Sequence, residues 1–127
     1  MKLEHAAYPV RDPVAVAAWY VAHCGLRIIR QTGPPTMTHF LSDGAGGVIE
    51  IYNNQKVTVP DYTAIDPLLL HIAFVATDLP VERDRLLAAG CTEAEPITTT
   101  PAGDVLVMLR DPWGFALQLT HRRQAMV

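Results

Sequence analysis

The stretch Leu3-Glu4-His5-Ala6-Ala7-Tyr8-Pro9-Val10-Arg11-Asp12 is answered further along the chain by Leu69-Leu70-His71-Ile72-Ala73-Phe74-Val75-Ala76-Thr77-Asp78. His5 and Asp12 recur as His71 and Asp78, each displaced by 66 positions. A second match, displaced by 68, sets Asp43-Gly44-Ala45-Gly46-Gly47-Val48-Ile49-Glu50 against Asp111-Pro112-Trp113-Gly114-Phe115-Ala116-Leu117-Gln118. Each half therefore opens on a segment carrying His and closes on one carrying Glu or Gln. Two copies at so long a period indicate a duplicated module rather than a solenoid.

Between these landmarks each half reads as strand, helix and three strands. Asp12 is suited to cap a helix whose first position is Pro13, and Gly25 is suited to stop it. The second helix is expected to start near Asp78 to Pro80 and to stop at Gly90. Strands are expected near Leu26–Thr32, Thr36–Ser42 and Val48–Tyr52, then Thr92–Thr99, Asp104–Arg110 and Phe115–Thr120. Gly- and Pro-rich punctuation separates them. The fold class is α+β: two tandem βαβββ modules, residues 1–54 and 68–121, joined by a polar linker over residues 55–67.

Strand alternation assigns faces. Phe115, Leu117 and Leu119 share one face and leave Gln118 on the other. Ile49 and Ile51 oppose Glu50. Leu70, Ile72 and Phe74 oppose His71, and Ala6, Tyr8 and Val10 oppose His5. The apolar faces must pack beneath the helices, so four ligand-capable groups leave four strands on the opposite side. A strand histidine taken singly is an ordinary polar residue; the repeated placement makes His5, Glu50, His71 and Gln118 a candidate metal site. Two imidazoles, a carboxylate and an amide oxygen suit one divalent ion, with Zn, Ni, Fe, Mn and Co all compatible. One carboxylate leaves such a site about +1, which favours an anionic ligand.

Composition narrows the classes. The 127 residues fit one domain; half are hydrophobic and 18% are charged, as in an ordinary globular protein. Ten basic and thirteen acidic side chains give a net charge of −3, and no basic cluster exceeds Arg122-Arg123, so no nucleic-acid partner is expected. The apolar stretches Val14–Ala22 and Leu68–Ala76 are too short to span a bilayer, and the N-terminus lacks a signal-peptide pattern. The expectation is a cytoplasmic protein with no membrane partner. Cys24 and Cys91 form no CxxC and are expected to be reduced thiols.

The segments LEHAAYPVRDP, WYVAHCGLRI, GGVIEIY, LHIAFVATD and LRDPWGFALQL resemble the vicinal-oxygen-chelate superfamily of glyoxalases, bleomycin-resistance proteins and extradiol dioxygenases, from Leu3 to Leu119. The resemblance implies curved mixed sheets forming a cleft, a small-molecule substrate and a homodimer. The ligand layout is most similar to glyoxalase I and methylmalonyl-CoA epimerase, whose ligands fall at His5, Glu50, His71 and Gln118. Those enzymes usually carry Glu at the fourth position, and in glyoxalase I it is the base. Gln118 cannot take a proton, so Glu50, its repeat mate, is the candidate catalytic base. The leading expectation is a metal-dependent lyase or isomerase that abstracts a proton and stabilises an enolate. The alternatives are a non-catalytic binding or resistance protein and an Fe(II) dioxygenase using His5, His71 and Glu50.

Other residues carry lesser expectations. Tyr52, which shares Glu50's face, and Trp113, in the turn before the last strand, are candidate substrate contacts. His39 is a candidate acid or base lining the cleft. Arg11 and Arg110 are suited to an acidic substrate, although surface roles are commoner for arginine. Trp19 and Tyr20 are read as packing residues, and His23 and His121 are assigned no chemistry.

Overall fold

Asp12 and Asp78 begin two helices in the same way. In the computed structural model, which describes residues 1–126, Asp12 accepts from the Ala15 amide at 3.0 Å and Asp78 from the Val81 amide at 3.2 Å. Each side chain thereby satisfies an amide that the first helical turn leaves without a partner. The chain runs β1 (Ala6–Pro9), α1 (Pro13–Cys24), β2 (Arg27–Gln31), β3 (His39–Ser42), β4 (Val48–Tyr52), a single 3-10 turn (Tyr62–Ala64), β5 (Ile72–Val75), α2 (Leu79–Ala88), β6 (Thr92–Thr99), β7 (Val105–Arg110) and β8 (Ala116–His121). This is the expected α+β fold of two tandem βαβββ modules. Two compact units result, Met1–Pro60 and a second from Asp61 onward.

Within the first unit the sheet order is β1-β4-β3-β2, and within the second it is β5-β8-β7-β6. Each sheet is mixed: β1 runs parallel to β4, and β5 to β8, while the remaining neighbours are antiparallel. The registers repeat as well. Ala7 stands opposite Glu50, and Ala73 stands opposite Gln118. Beyond the strands, the Val10 amide reaches the Tyr52 carbonyl at 2.8 Å, as the Ala76 amide reaches that of Thr120 at 2.8 Å.

The turn before the last strand is duplicated to the atom. Asp43 Oδ1 accepts from the Ala45 and Gly47 amides at 2.8 and 2.9 Å, and Asp111 Oδ1 from the Trp113 and Phe115 amides at 2.9 Å each. Gly46 and Gly114, equivalent in the repeat, have φ of +118° and +88°, a conformation that costs glycine little.

The cores follow helical and strand periodicity. Pro13, Val16, Ala17 and Tyr20 are the buried stripe of α1, which packs on β2, β3 and β4 over the fully buried Leu41 and Ile51. In the second unit α2 packs on β6, β7 and β8, where Val107, Leu109, Leu117 and Leu119 are buried.

Three details differ from expectation. His5 and His71 sit one residue ahead of β1 and β5 rather than within them. Leu70 also precedes its strand and is 47% exposed, so the core side of β5 reduces to Ile72 and Phe74. Thr36–Thr38 is not strand: Met37 has φ +47°, and β3 starts only at His39. The segment after Pro60 is fastened to the second unit. Tyr62 is buried against Phe115 with ring centroids 4.9 Å apart, and Arg110 donates to the carbonyls of Tyr62, Gly114 and Ile65 at 2.7–2.9 Å.

Candidate functional site

In the first unit β4 presents Glu50, on the face opposite Ile49 and Ile51, to the segment that leads into β1. There His5 Nε2 lies 3.0 Å from Glu50 Oε2. Both side chains are part-open, 28% and 21% exposed. On the same side Phe40 is Glu50's partner across β3 and β4, and it packs edge-on against the His5 ring at 5.4 Å. His5 Nδ1 in turn faces Glu4 Oε2 at 3.1 Å. The imidazole is thus held from three sides, with Nε2 aimed at the carboxylate. An outer carboxylate at one ring nitrogen that directs the other toward a ligand is the arrangement found around metal-bound histidines.

The His5–Glu50 spacing fits a shared ion. Two donors 3.0 Å apart, each about 2.1 Å from one cation, subtend about 90° at it. That angle suits neighbouring positions of a five- or six-coordinate ion. Among the described residues, however, no group of three His, Cys, Asp or Glu side chains is assembled that could hold a metal.

In the second unit Gln118 lies on the β8 face opposite Leu117 and Leu119, beside Ala73 of β5 and Met108 of β7. His71 precedes β5 by one residue, in the same repeat position as His5. Its Nδ1 is 2.8 Å from the Pro67 carbonyl oxygen, which can only accept, so Nδ1 is the donor and Nε2 is the ring nitrogen left for another partner. A cavity of about 450 Å³ in this unit is walled by Thr63, Asp66, Glu95 and Arg110 among others; neither His71 nor Gln118 lines it.

Of the substrate candidates, Tyr52 lies two residues beyond Glu50 on the same strand and is half-buried. Trp113 occupies the turn before β8 and is 36% exposed. His39 is corrected by the register. It pairs with Ile51 rather than Glu50, is 5% exposed, and donates from Nδ1 to the Met37 carbonyl at 2.7 Å. It therefore lies on the helix-side face of its sheet, away from the His5–Glu50 face. Arg110 is likewise occupied by backbone carbonyls and offers no free guanidinium to an acidic substrate.

One further residue on the His5–Glu50 face is not marked by any sequence pattern. Arg30 pairs with Phe40, and its Cζ lies 5.9 Å from that ring's centroid. Simple alternation from Ile28, which pairs with Leu41, would put Arg30 under α1. An irregularity between Ile28 and Arg30 shifts the register and turns Arg30 to the side of Phe40 and Glu50.

The model of the Glyoxalase/Bleomycin resistance protein/Dioxygenase superfamily matches residues 2–119. Three solved structures illustrate the likeness of fold. A glyoxalase I mutant from Zea mays is 22% identical with TM-score 0.77, the match covering 97% of this chain and 46% of that one. A glyoxylase/bleomycin resistance protein/dioxygenase domain from Frankia sp. EAN1pec is 22% identical with TM-score 0.75, covering 98% and 94%. A glyoxalase family protein from Enterococcus faecalis is 22% identical with TM-score 0.72, covering 94% and 97%. No curated protein matches the chain.

Proposed function

We infer function from one premise: this chain belongs to the Glyoxalase/Bleomycin resistance protein/Dioxygenase superfamily. The proposed activity is that of a glyoxalase-like, metal-dependent lyase or isomerase, which removes a proton beside a carbonyl of a small oxygenated substrate. The observation that carries this reading is the 3.0 Å contact between His5 Nε2 and Glu50 Oε2 on the face turned away from α1. His5 and Glu50 are the proposed metal-ligand pair of the first module, and His71 and Gln118 that of the second. A divalent ion, when bound, supplies Lewis acidity that stabilises developing negative charge on the substrate oxygen.

The protein's own groups do the rest. Glu50 takes the proton, because Gln118, its repeat mate, has no basic oxygen. Glu4 holds the His5 ring in place through Nδ1. Phe40 gives the substrate an apolar surface beside the base, and Tyr52 and Trp113 are its proposed further contacts. A homodimer is the proposed assembly, supported by the exposed apolar side chains Leu68, Leu69 and Val75; light scattering of the purified protein tests it. No helix among the described residues is long and apolar enough to cross a membrane.

The test is Glu50→Gln. With small α-hydroxy and α-substituted carbonyl compounds in deuterated solvent, the wild type should exchange the α-proton. The variant should lose about 10²–10⁴ of that rate while keeping part of its metal. Exchange at the wild-type rate would refute the base assignment. A second reading is a small-molecule binder that uses the same face without catalysis, and the lack of a three-membered His, Cys, Asp or Glu group among the described residues favours it. Full ligand affinity in metal-free protein, with no exchange, distinguishes it.

A further inference from the structure

We propose that Arg30 is the anion-recognition residue of this face, and that the substrate is a small planar molecule bearing a carboxylate or phosphate, laid over Phe40 with its reacting carbon at Glu50. The proposal deepens the functional reading above and rests on it for the reaction, though not for the binding.

Four residues of the first unit form a connected series on one side of the sheet. Glu50 meets His5 at 3.0 Å, His5 packs on Phe40 at 5.4 Å, and Arg30 stands over Phe40 at 5.9 Å. One phenyl ring therefore separates a fixed positive charge from the imidazole and carboxylate. Arg30 is exposed, and among the described residues its guanidinium meets no carboxylate. An exposed arginine that is positioned by an aromatic ring but unneutralised is suited to a planar anion, which it can grip through two parallel N–H bonds.

The register irregularity is what brings Arg30 there, and the repeat supplies an internal comparison. In the second unit the same irregularity lies between Glu93, paired with Leu109, and Glu95, paired with Met108. Met108 is the repeat mate of Phe40, as both stand opposite the Glu50 or Gln118 position. Glu95 thus occupies the place of Arg30 with the opposite charge. The duplicated backbone turns both residues to corresponding faces, so charge is what distinguishes them: a cation beside His5, Phe40 and Glu50, an anion beside Met108 and Gln118. Arg30 thus offers the first face a guanidinium for an acidic group, which Glu95 cannot offer the second.

The test uses the full chain in chelator-treated buffer, so that ligation of an ion cannot imitate binding to arginine. The probes are benzoate, phenyl phosphate and the neutral benzamide, followed by the His5 ring resonances in NMR. Benzoate or phenyl phosphate should saturate and shift those resonances, with benzamide at least about tenfold weaker. The tighter of the two anions identifies the acidic group as carboxylate or phosphate. Arg30→Gln should weaken the anion by about tenfold and leave benzamide unchanged, and Glu95→Gln should have no such effect. Equal affinity for benzamide, anion binding indifferent to Arg30→Gln, or no shift at His5 with any probe would each overturn the proposal. Should Arg30→Gln abolish anion binding while Glu50→Gln retains full proton exchange, the recognition role stands and the assignment of Glu50 as base fails. The converse pair of results separates them the other way.

Discussion

Glu50 and His5 come from opposite ends of the first module, yet their side chains meet at 3.0 Å because β1 and β4 are parallel neighbours. The pairing of Ala7 with Glu50 places the residue just ahead of β1 beside the carboxylate. The same register in the second module, Ala73 with Gln118, puts His71 in the corresponding place relative to an amide. The two modules therefore share this backbone and differ in one side chain, which can accept a proton in the first and cannot in the second.

The two Asp turns should differ in their tolerance of substitution. Asp111 is 4% exposed and satisfies the Trp113 and Phe115 amides; Asp43 makes the equivalent bonds at the surface. Asp111→Ala is expected to cost about 1–3 kcal/mol in urea unfolding, because the Phe115 amide it leaves is buried, and Asp43→Ala less. Equal costs at both positions would contradict the account of the turn.

Arg110 is expected to be structural. Its guanidinium ties the carbonyls of Tyr62, Ile65 and Gly114 together, so Arg110→Ala should destabilise the second unit by about 2 kcal/mol and speed proteolytic cleavage near residues 60–67. Arg110→Lys should rescue little, since an ammonium lacks the planar fork that spans three acceptors. Limited proteolysis with mass mapping reads both effects.

Cys91 should be chemically silent in the folded protein. Burial, reinforced by the Asp111 carboxylate and opposed by Arg85, pushes its thiol from 9.0 up to about 12. A thiol-specific reagent at pH 8 is expected to leave Cys91 unlabelled until the protein unfolds. The folded state holds the proton more tightly, so this contribution to stability is complete below pH 9 and is lost as pH rises toward 12. Cys91→Ala should flatten that part of the pH–stability curve.

Much of the architecture was legible because the repeat could be read directly. His5/His71, Asp12/Asp78, Asp43/Asp111 and Glu50/Gln118 fixed the module count, the helix starts and the closing strands before any packing was considered. Strand alternation also assigned Glu50 and Gln118 to their faces. It gave out where the backbone departs from regularity. His39 is not such a case: alternation with the buried Leu41 already puts it on the helix side, in register with Ile51, and only its residue type suggested the cleft. Arg30 went unnoticed because the irregularity after Ile28 reverses its face, and nothing in the local residue types marks a bulge. Arg110 looked like a surface or substrate arginine because its partners are backbone carbonyls, which sequence patterns do not display.

Whether the His5–Glu50 pair binds a divalent ion is decided by elemental analysis of the purified protein beside His5→Ala and His71→Ala. A near-stoichiometric content of Zn, Ni, Fe, Mn or Co is expected in the wild type, with a large loss in His5→Ala and in His71→Ala. Metal content in His5→Ala equal to the wild type, or no uptake by the wild type even after loading with these ions, would contradict it.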